Sequence, residues 1–111
     1  RPTTESPDDL MAVWNKLASS TARNGWKGMM PCRDLSNSRR AKALVRLKES
    51  ELAWHQQAIT KLAASDFACG KPTKDREGNP RSWRASFDWY IENDTNCLKV
   101  MEGKYDNTPT R

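Results

Sequence analysis

Five cations crowd one short stretch of this chain, Arg39, Arg40, Lys42, Arg46 and Lys48, and no acid falls among residues 36–48. Arg39, Lys42 and Arg46 stand at i, i+3 and i+7, which puts three side chains on one side of a helix. Such a row can meet successive phosphates of a nucleic-acid strand, each contact releasing counterions and making the binding salt-sensitive. An ordinary solvated helix face would carry the same residues, and the sequence leaves both readings open. A second basic group, Lys71, Lys74, Arg76, Arg81 and Arg84, surrounds Trp83. There an indole could stack on an unpaired base while its neighbours hold the backbone. The alternative is that Trp83 anchors a helix in the core and the charges only keep the loop soluble.

Catalytic chemistry finds little support. His55 is the single histidine, and it lies in a helix-forming run with no Ser or Cys nucleophile motif beside it. Neither a GxxxxGK[ST] nor a GxGxxG phosphate loop is present. Asp8 and Asp9 are explained by helix capping, and Asp66, Asp88, Glu92 and Asp94 form no convincing two-metal pattern. Asp88 can pair with Arg84, four residues earlier on one helix face. Cys32, Cys69 and Cys97 contain no CxxC pair, and one histidine cannot complete a zinc quartet. We therefore expect no catalytic residues, no metal and no cofactor, with free thiols in a reducing cytoplasm.

These residues need elements to position them. Ser6 can cap a first helix, with Pro7 at its first position and Asp8 and Asp9 at the positive end of its dipole. Leu10, Val13, Trp14 and Leu17 supply its apolar stripe. Asn24-Gly25, Lys27-Gly28 and Pro31 interrupt the pattern, so Met29, Met30 and Leu35 are expected to tuck in from an irregular loop. Ser36 opens a second, cationic helix to about Glu49, with Leu44 and Leu47 inward. A third covers about 51–64, with Trp54, Ala58, Ile59 and Leu62 at helical spacing. Gly70, Pro72, Gly78 and Pro80 punctuate a long polar loop. Ser82 then caps a fourth helix carrying Trp83, Phe87, Tyr90 and Ile91, with Trp89 off the stripe. A last short helix starts at Asp94 or Thr95, turns Leu98 and Met101 inward and ends at Gly103, after which Tyr105 can fold back.

The expected fold is all-α, a small bundle of four to five helices with a long basic loop between the third and fourth. Residues 1–6 read as a linker, 7–105 as one helical domain and 106–111 as a flexible tail. The chain has 111 residues, a common size for one domain. Its mean hydropathy is −0.93, a lean balance for which five Trp compensate. We expect a core centred on Trp14, Trp54, Trp83 and Trp89, with Trp26 unassigned. No apolar run approaches the roughly 20 residues of a membrane helix, and no signal peptide is recognisable. The opening Arg-Pro-Thr-Thr, without Met, suggests a piece of a longer protein. A net charge of +5 favours acidic partners, either nucleic acid or an acidic protein surface.

Four blocks also carry a family resemblance: Trp14-Asn15, LSNSRRAKALVRLKE (35–49), KLAASDFACG (61–70) and SWRASFDWYIENDTNCLKVMEGKY (82–105). Together they resemble a C-terminal module of phage and prophage DNA replication proteins of the replication-initiator or helicase-loader type, often found after a helix-turn-helix domain. The matching positions include Trp14, Asn15, Arg39, Arg40, Ser65, Phe67, Gly70, Trp83, Phe87, Asp88, Trp89, Asn96, Lys99, Gly103 and Tyr105. The loop at 71–81 and the segment 19–34 depart from the family pattern. The resemblance implies a role in replication. On that footing, the chain is expected to bind nucleic acid, single-stranded DNA above all, through the helix at 36–49 and the loop at 71–84. The alternative is a protein-interaction module that recruits the host replicative helicase or its loader.

Overall fold

The computed structural model describes residues 6–22, 25–74 and 76–106. The expected linker, except Ser6, and the expected tail, except Asp106, lie outside them. The chain forms five helices and a small two-stranded hairpin, in the order α1 (Pro7–Ala18), α2 (Asn37–Glu49), α3 (Leu52–Ala63), β1 (Thr73–Lys74), β2 (Pro80–Arg81), α4 (Phe87–Ile91) and α5 (Asp94–Met101). Helix α1 packs on α2 and α3, α5 on α3 and α4, and α2 on α4.

Capping explains most of the boundaries. The Ser6 backbone N–H donates to Asp9 Oδ2 at 2.9 Å, satisfying the entry to α1. Ser36 accepts from the Arg39 N–H, Ser86 from the Trp89 N–H and Asn93 from the Asn96 N–H. At the far end of α5, Gly103 takes a φ of +91°, which its lack of a Cβ permits.

The apolar stripe of α1 is as expected: Leu10, Trp14 and Ala18 are buried, with Val13 and Leu17 packed against the core. Trp14 is the one tryptophan wholly inside, edge-on to Phe87 at 5.9 Å and tilted against Tyr90 at 5.8 Å. Trp54, Trp83 and Trp89 flank this core only partly buried, so the expected four-tryptophan centre is replaced by Trp14, Phe87 and Tyr90. Helix α3 buries Ala58, Ile59 and Leu62 as expected, and adds His55.

Two helices sit about one residue away from their expected rotation. In α2 the buried positions are Ala43 and Arg46, whereas Leu44 is 42% exposed. The inward stripe runs Arg39, Ala43, Arg46 and Leu47, because arginine stems bury as readily as aliphatic chains when their heads find partners. In α5, Cys97 and Val100 face inward and Leu98 is 47% exposed.

Helix α4 is shorter than expected. Its cap is Ser86, not Ser82, and Trp83 precedes it. The intervening backbone is engaged sideways: the Ala85 N–H donates to Ala68 O, Ala85 O accepts from the Met30 N–H, and Arg84 pairs with Cys69 in an isolated antiparallel bridge. Those lateral bonds leave the stretch extended. In the same way the irregular segment at 25–35 is strapped to α1. Trp14 Nε1 donates to Met30 O, and Asn15 both donates to Cys32 O and accepts from the Cys32 N–H. Met29 is buried and Leu35 packs against the core, but Met30 is 43% exposed. Gly28 lies where the strap crosses α1's end. Its φ is +83°, and a Cβ there would collide with Thr21 and with the Ala22 backbone.

One polar chain runs through the core. His55 Nε2 lies 2.9 Å from Arg46 O, which can only accept, so this nitrogen carries the proton. Nδ1 is then the acceptor for the Tyr90 hydroxyl at 2.8 Å. Burial pushes the His55 pKa down, against the opposing backbone hydrogen bond to Arg46. Cys32, Cys69 and Cys97 are free and buried. The Cys97 thiol is pushed up to about 11, mainly by burial.

Candidate nucleic-acid interface

The two basic segments singled out in the sequence have different surroundings. On α2, Arg39 grips Asp88 with two parallel bonds, Nε to Oδ1 at 2.6 Å and Nη2 to Oδ2 at 2.7 Å, while Nη1 donates to Asp34 O at 2.8 Å. Hydrogen bonding from Arg39 lowers the Asp88 pKa, with burial acting against it. Asp88 is thus paired with an arginine from another helix, not with Arg84 as its spacing suggested. Arg40 reaches Asp8 at the start of α1 (3.2 Å), and Lys42 reaches Glu92 just after α4 (2.7 Å). Arg46 departs furthest from the expected phosphate row. Its side chain is 11% exposed, with Nε 3.2 Å from Glu49 Oε1. That approach is off the donor's line, so Nε and Nη1 are buried without a hydrogen bond. Lys48 is exposed.

The loop after α3 carries its charge in another way. Lys71, Lys74, Arg76 and Arg81 are all exposed, and none of them makes an ion pair among the described residues. The loop was expected to be irregular but contains the hairpin, with Thr73 opposite Arg81 and Lys74 opposite Pro80. Directly opposed residues share a face, so Arg81 stands with the half-buried Thr73 and Lys74 projects from the other side.

Arg84 is part of the hairpin's foundation. Its Nε donates to Gly28 O at 2.6 Å, and the Gly28 N–H donates to Cys69 O at 2.9 Å. These bonds hold the strap at 25–30 against the hairpin base, and between them opens a groove of about 600 Å³ lined by Trp26, Lys27, Gly70, Pro72, Arg81 and Arg84. Trp26 is half-buried and Lys27 exposed. Neither was singled out as a site residue from sequence, because both lie far from Gly70 and Arg81 along the chain and meet them only in the fold.

Trp83 belongs to a second feature. It lies 5.3 Å from Phe67, 4.8 Å edge-on from Trp89 and 5.8 Å from Tyr105. Tyr105 has folded back as expected, stacking parallel to Phe67 at 6.3 Å. All four rings are only half-buried, and they line a cleft of about 350 Å³ bordered by Arg81 and Lys104. Phe67, Trp89, Tyr105 and Lys104 were not site candidates from sequence. Their one legible signal was Trp89 lying off its helix stripe.

Several residues of the replication-protein resemblance have structural duties. Asn15 clamps the strap, buried Ser65 accepts from the Ala68 N–H, and Asn96 Nδ2 donates to Trp89 O. No group of three or more His, Cys, Asp or Glu side chains among the described residues could hold a metal ion. No helix there is long and apolar enough to cross a membrane. Comparison with protein-family models, with curated proteins and with solved structures gives no match for this chain.

Proposed function

We propose that this chain is a nucleic-acid-binding module of a phage or mobile-element replication system, preferring single-stranded DNA and acting by binding rather than catalysis. The observation that carries the reading is the state of the hairpin cations. Lys71, Lys74, Arg76 and Arg81 are exposed and unpaired among the described residues, around a groove that also offers the Trp26 indole. Cations without carboxylate partners are available to phosphate, and an adjacent half-exposed ring suits an unpaired base. The contact surface in this reading is centred on the hairpin and its base, with Lys48 and the ion-paired cations of α2 at most a secondary strip. The replication setting rests on the resemblance of the four sequence blocks. Three free cysteines fit a reducing cytoplasm.

The test is fluorescence anisotropy of labelled single-stranded and duplex oligonucleotides at about 50 and 200 mM salt, a range over which phosphate-dominated binding falls steeply. The expected result is salt-sensitive binding that favours the single strand. Absence of binding at the lower salt would overturn the reading.

The second reading, recruitment of the host replicative helicase or its loader, is favoured by Leu44 and Val45, neighbours on α2 that are 42% and 44% exposed. Adjacent exposed aliphatic side chains suit a protein partner better than a phosphate chain. A chain that ignores DNA but binds purified helicase or loader, and loses that binding on Leu44→Asp, would establish it.

A further inference from the structure

We propose that the cleft formed by Phe67, Trp83, Trp89 and Tyr105 seats an unpaired base, with Arg81 and Lys104 holding the phosphates on either side of it. This deepens the nucleic-acid reading above and rests on it. The four rings come from the turn after α3, the extended stretch before α4, α4 itself and the segment after α5, and they meet at the surface rather than in the core. Each ring touches two or three of the others, yet all four stay half-buried. The cluster therefore presents ring surface to a cleft of about 350 Å³, a volume within the range of small-ligand sites, roughly 300–1,000 Å³.

Charge identifies the occupant. The two cations at the rim, Arg81 and Lys104, are exposed and make no ion pair among the described residues. The nearby Asp106 is already held by Lys61 at 3.1 Å. A ligand that is flat and apolar in its middle and anionic at both ends matches this arrangement, and a nucleotide within a strand is such a ligand. Arg81 lines both this cleft and the Trp26 groove, so one strand can pass from one to the other around a single guanidinium. Bases in a duplex are stacked on each other and cannot enter, and the cleft is thus a physical source of preference for the single strand.

The experiment compares the 111-residue chain's affinity for a thymidine oligonucleotide of about twelve residues with that for an abasic oligonucleotide of the same length and charge. Tyr105→Ala, Tyr105→Phe, Lys104→Glu and Trp26→Ala are measured alongside. The native chain is expected to prefer the oligonucleotide that carries bases, by roughly tenfold for each stacked base. Tyr105→Ala should cut that preference by roughly tenfold with little change in abasic affinity, and Tyr105→Phe should restore it. Lys104→Glu, a surface change, should weaken both ligands and lower the salt dependence. Equal, salt-sensitive affinity for the two oligonucleotides would overturn the cleft and leave the nucleic-acid reading standing. A base preference that survives Tyr105→Ala and disappears in Trp26→Ala would overturn the cleft in favour of the first groove. Binding to neither oligonucleotide would overturn the underlying reading.

Discussion

On α2, Arg39, Arg40, Lys42 and Arg46 each lie against a carboxylate, from Asp88, Asp8, Glu92 and Glu49 respectively. On the hairpin arm, Lys71, Lys74, Arg76 and Arg81 lie against none among the described residues. Both segments read as basic, but the first uses its charge within the fold. Arg39 and Lys42 tie α2 to α4 and its end, and Arg40 ties it to the start of α1. An exposed ion pair contributes only about 0.2–1 kcal/mol, so these pairs matter more for seating α2 than for total stability. The lesson is that a run of cations marks a binding face only where the fold has not already supplied the acids.

The sharpest way to test the contrast is at Arg46. Arg46→Glu should put a second carboxylate beside Glu49 in a nearly buried position and destabilise the chain by about 3–5 kcal/mol, the scale of an uncompensated buried charge. Arg46→Met keeps the apolar stem and removes the two unsatisfied donors, and should leave both the urea midpoint and the DNA affinity almost unchanged. A large loss of affinity in a folded Arg46→Met chain would return α2 to the interface.

The hairpin offers the complementary experiment. The triple change Lys71→Glu, Lys74→Glu and Arg76→Glu should reduce single-strand affinity by about a hundredfold at about 50 mM salt and flatten the salt dependence by about two contacts' worth. The melting temperature should hardly move, because none of these side chains supports the core. If stability falls and affinity does not, the two regions have been assigned the wrong way round.

A smaller effect is expected from Asp88→Asn. Removing the carboxylate that Arg39 grips should cost about 1 kcal/mol, the value of a modest surface hydrogen-bonded pair. The released cation should raise DNA affinity only a few-fold, by adding net positive charge. A gain as large as the loss in the hairpin triple variant would mean that α2 lies on the strand's path.

The slightest effect should appear in the pH dependence. His55 titrates lower in the fold than its ordinary value of about 6.5, because burial disfavours the imidazolium. The unfolded chain therefore binds a proton that the native chain refuses, and the stabilisation present above about pH 6.5 is lost as pH falls toward the folded value. Asp88 acts in the same direction at lower pH, since its lowered pKa contributes stability that disappears as the carboxylate is protonated. Urea midpoints at about pH 7.5 and about pH 5.5, on either side of the ordinary histidine value, should show the His55 component, and His55→Gln should remove it. DNA binding by the hairpin should follow this component only through the folded fraction.

Much of the fold was legible in the chain itself. The Ser6-Pro7 start, the Leu10, Trp14 and Ala18 face, the Ser36 cap, the Ile59 and Leu62 stripe and the Gly103 stop all follow from local rules of capping and periodicity. Those rules act over one or two turns, so sequence displays them. Rotation of α2 and α5 was not legible, because it depends on which side chains find partners on other helices: Arg39 seats on Asp88, 49 positions away, and carries Ala43 inward in place of Leu44. The stop before α4 was hidden for the same reason, since Ala85's backbone is claimed by Ala68 and Met30.

The candidate site divides along the same line. Sequence alone determined that the 71–84 segment is cationic and carries an indole, and it supplied equal reason to suspect α2. Only the tertiary structure decided that the α2 cations have acids against them and that the hairpin cations do not. Only it brought Phe67, Trp83, Trp89 and Tyr105 around one cleft and laid Trp26 beside Arg81. The physical reason is range. Helix periodicity and capping are interactions between near neighbours in the chain, whereas the pairing of a charge and the exposure of a ring are settled by groups that meet only once the chain has folded.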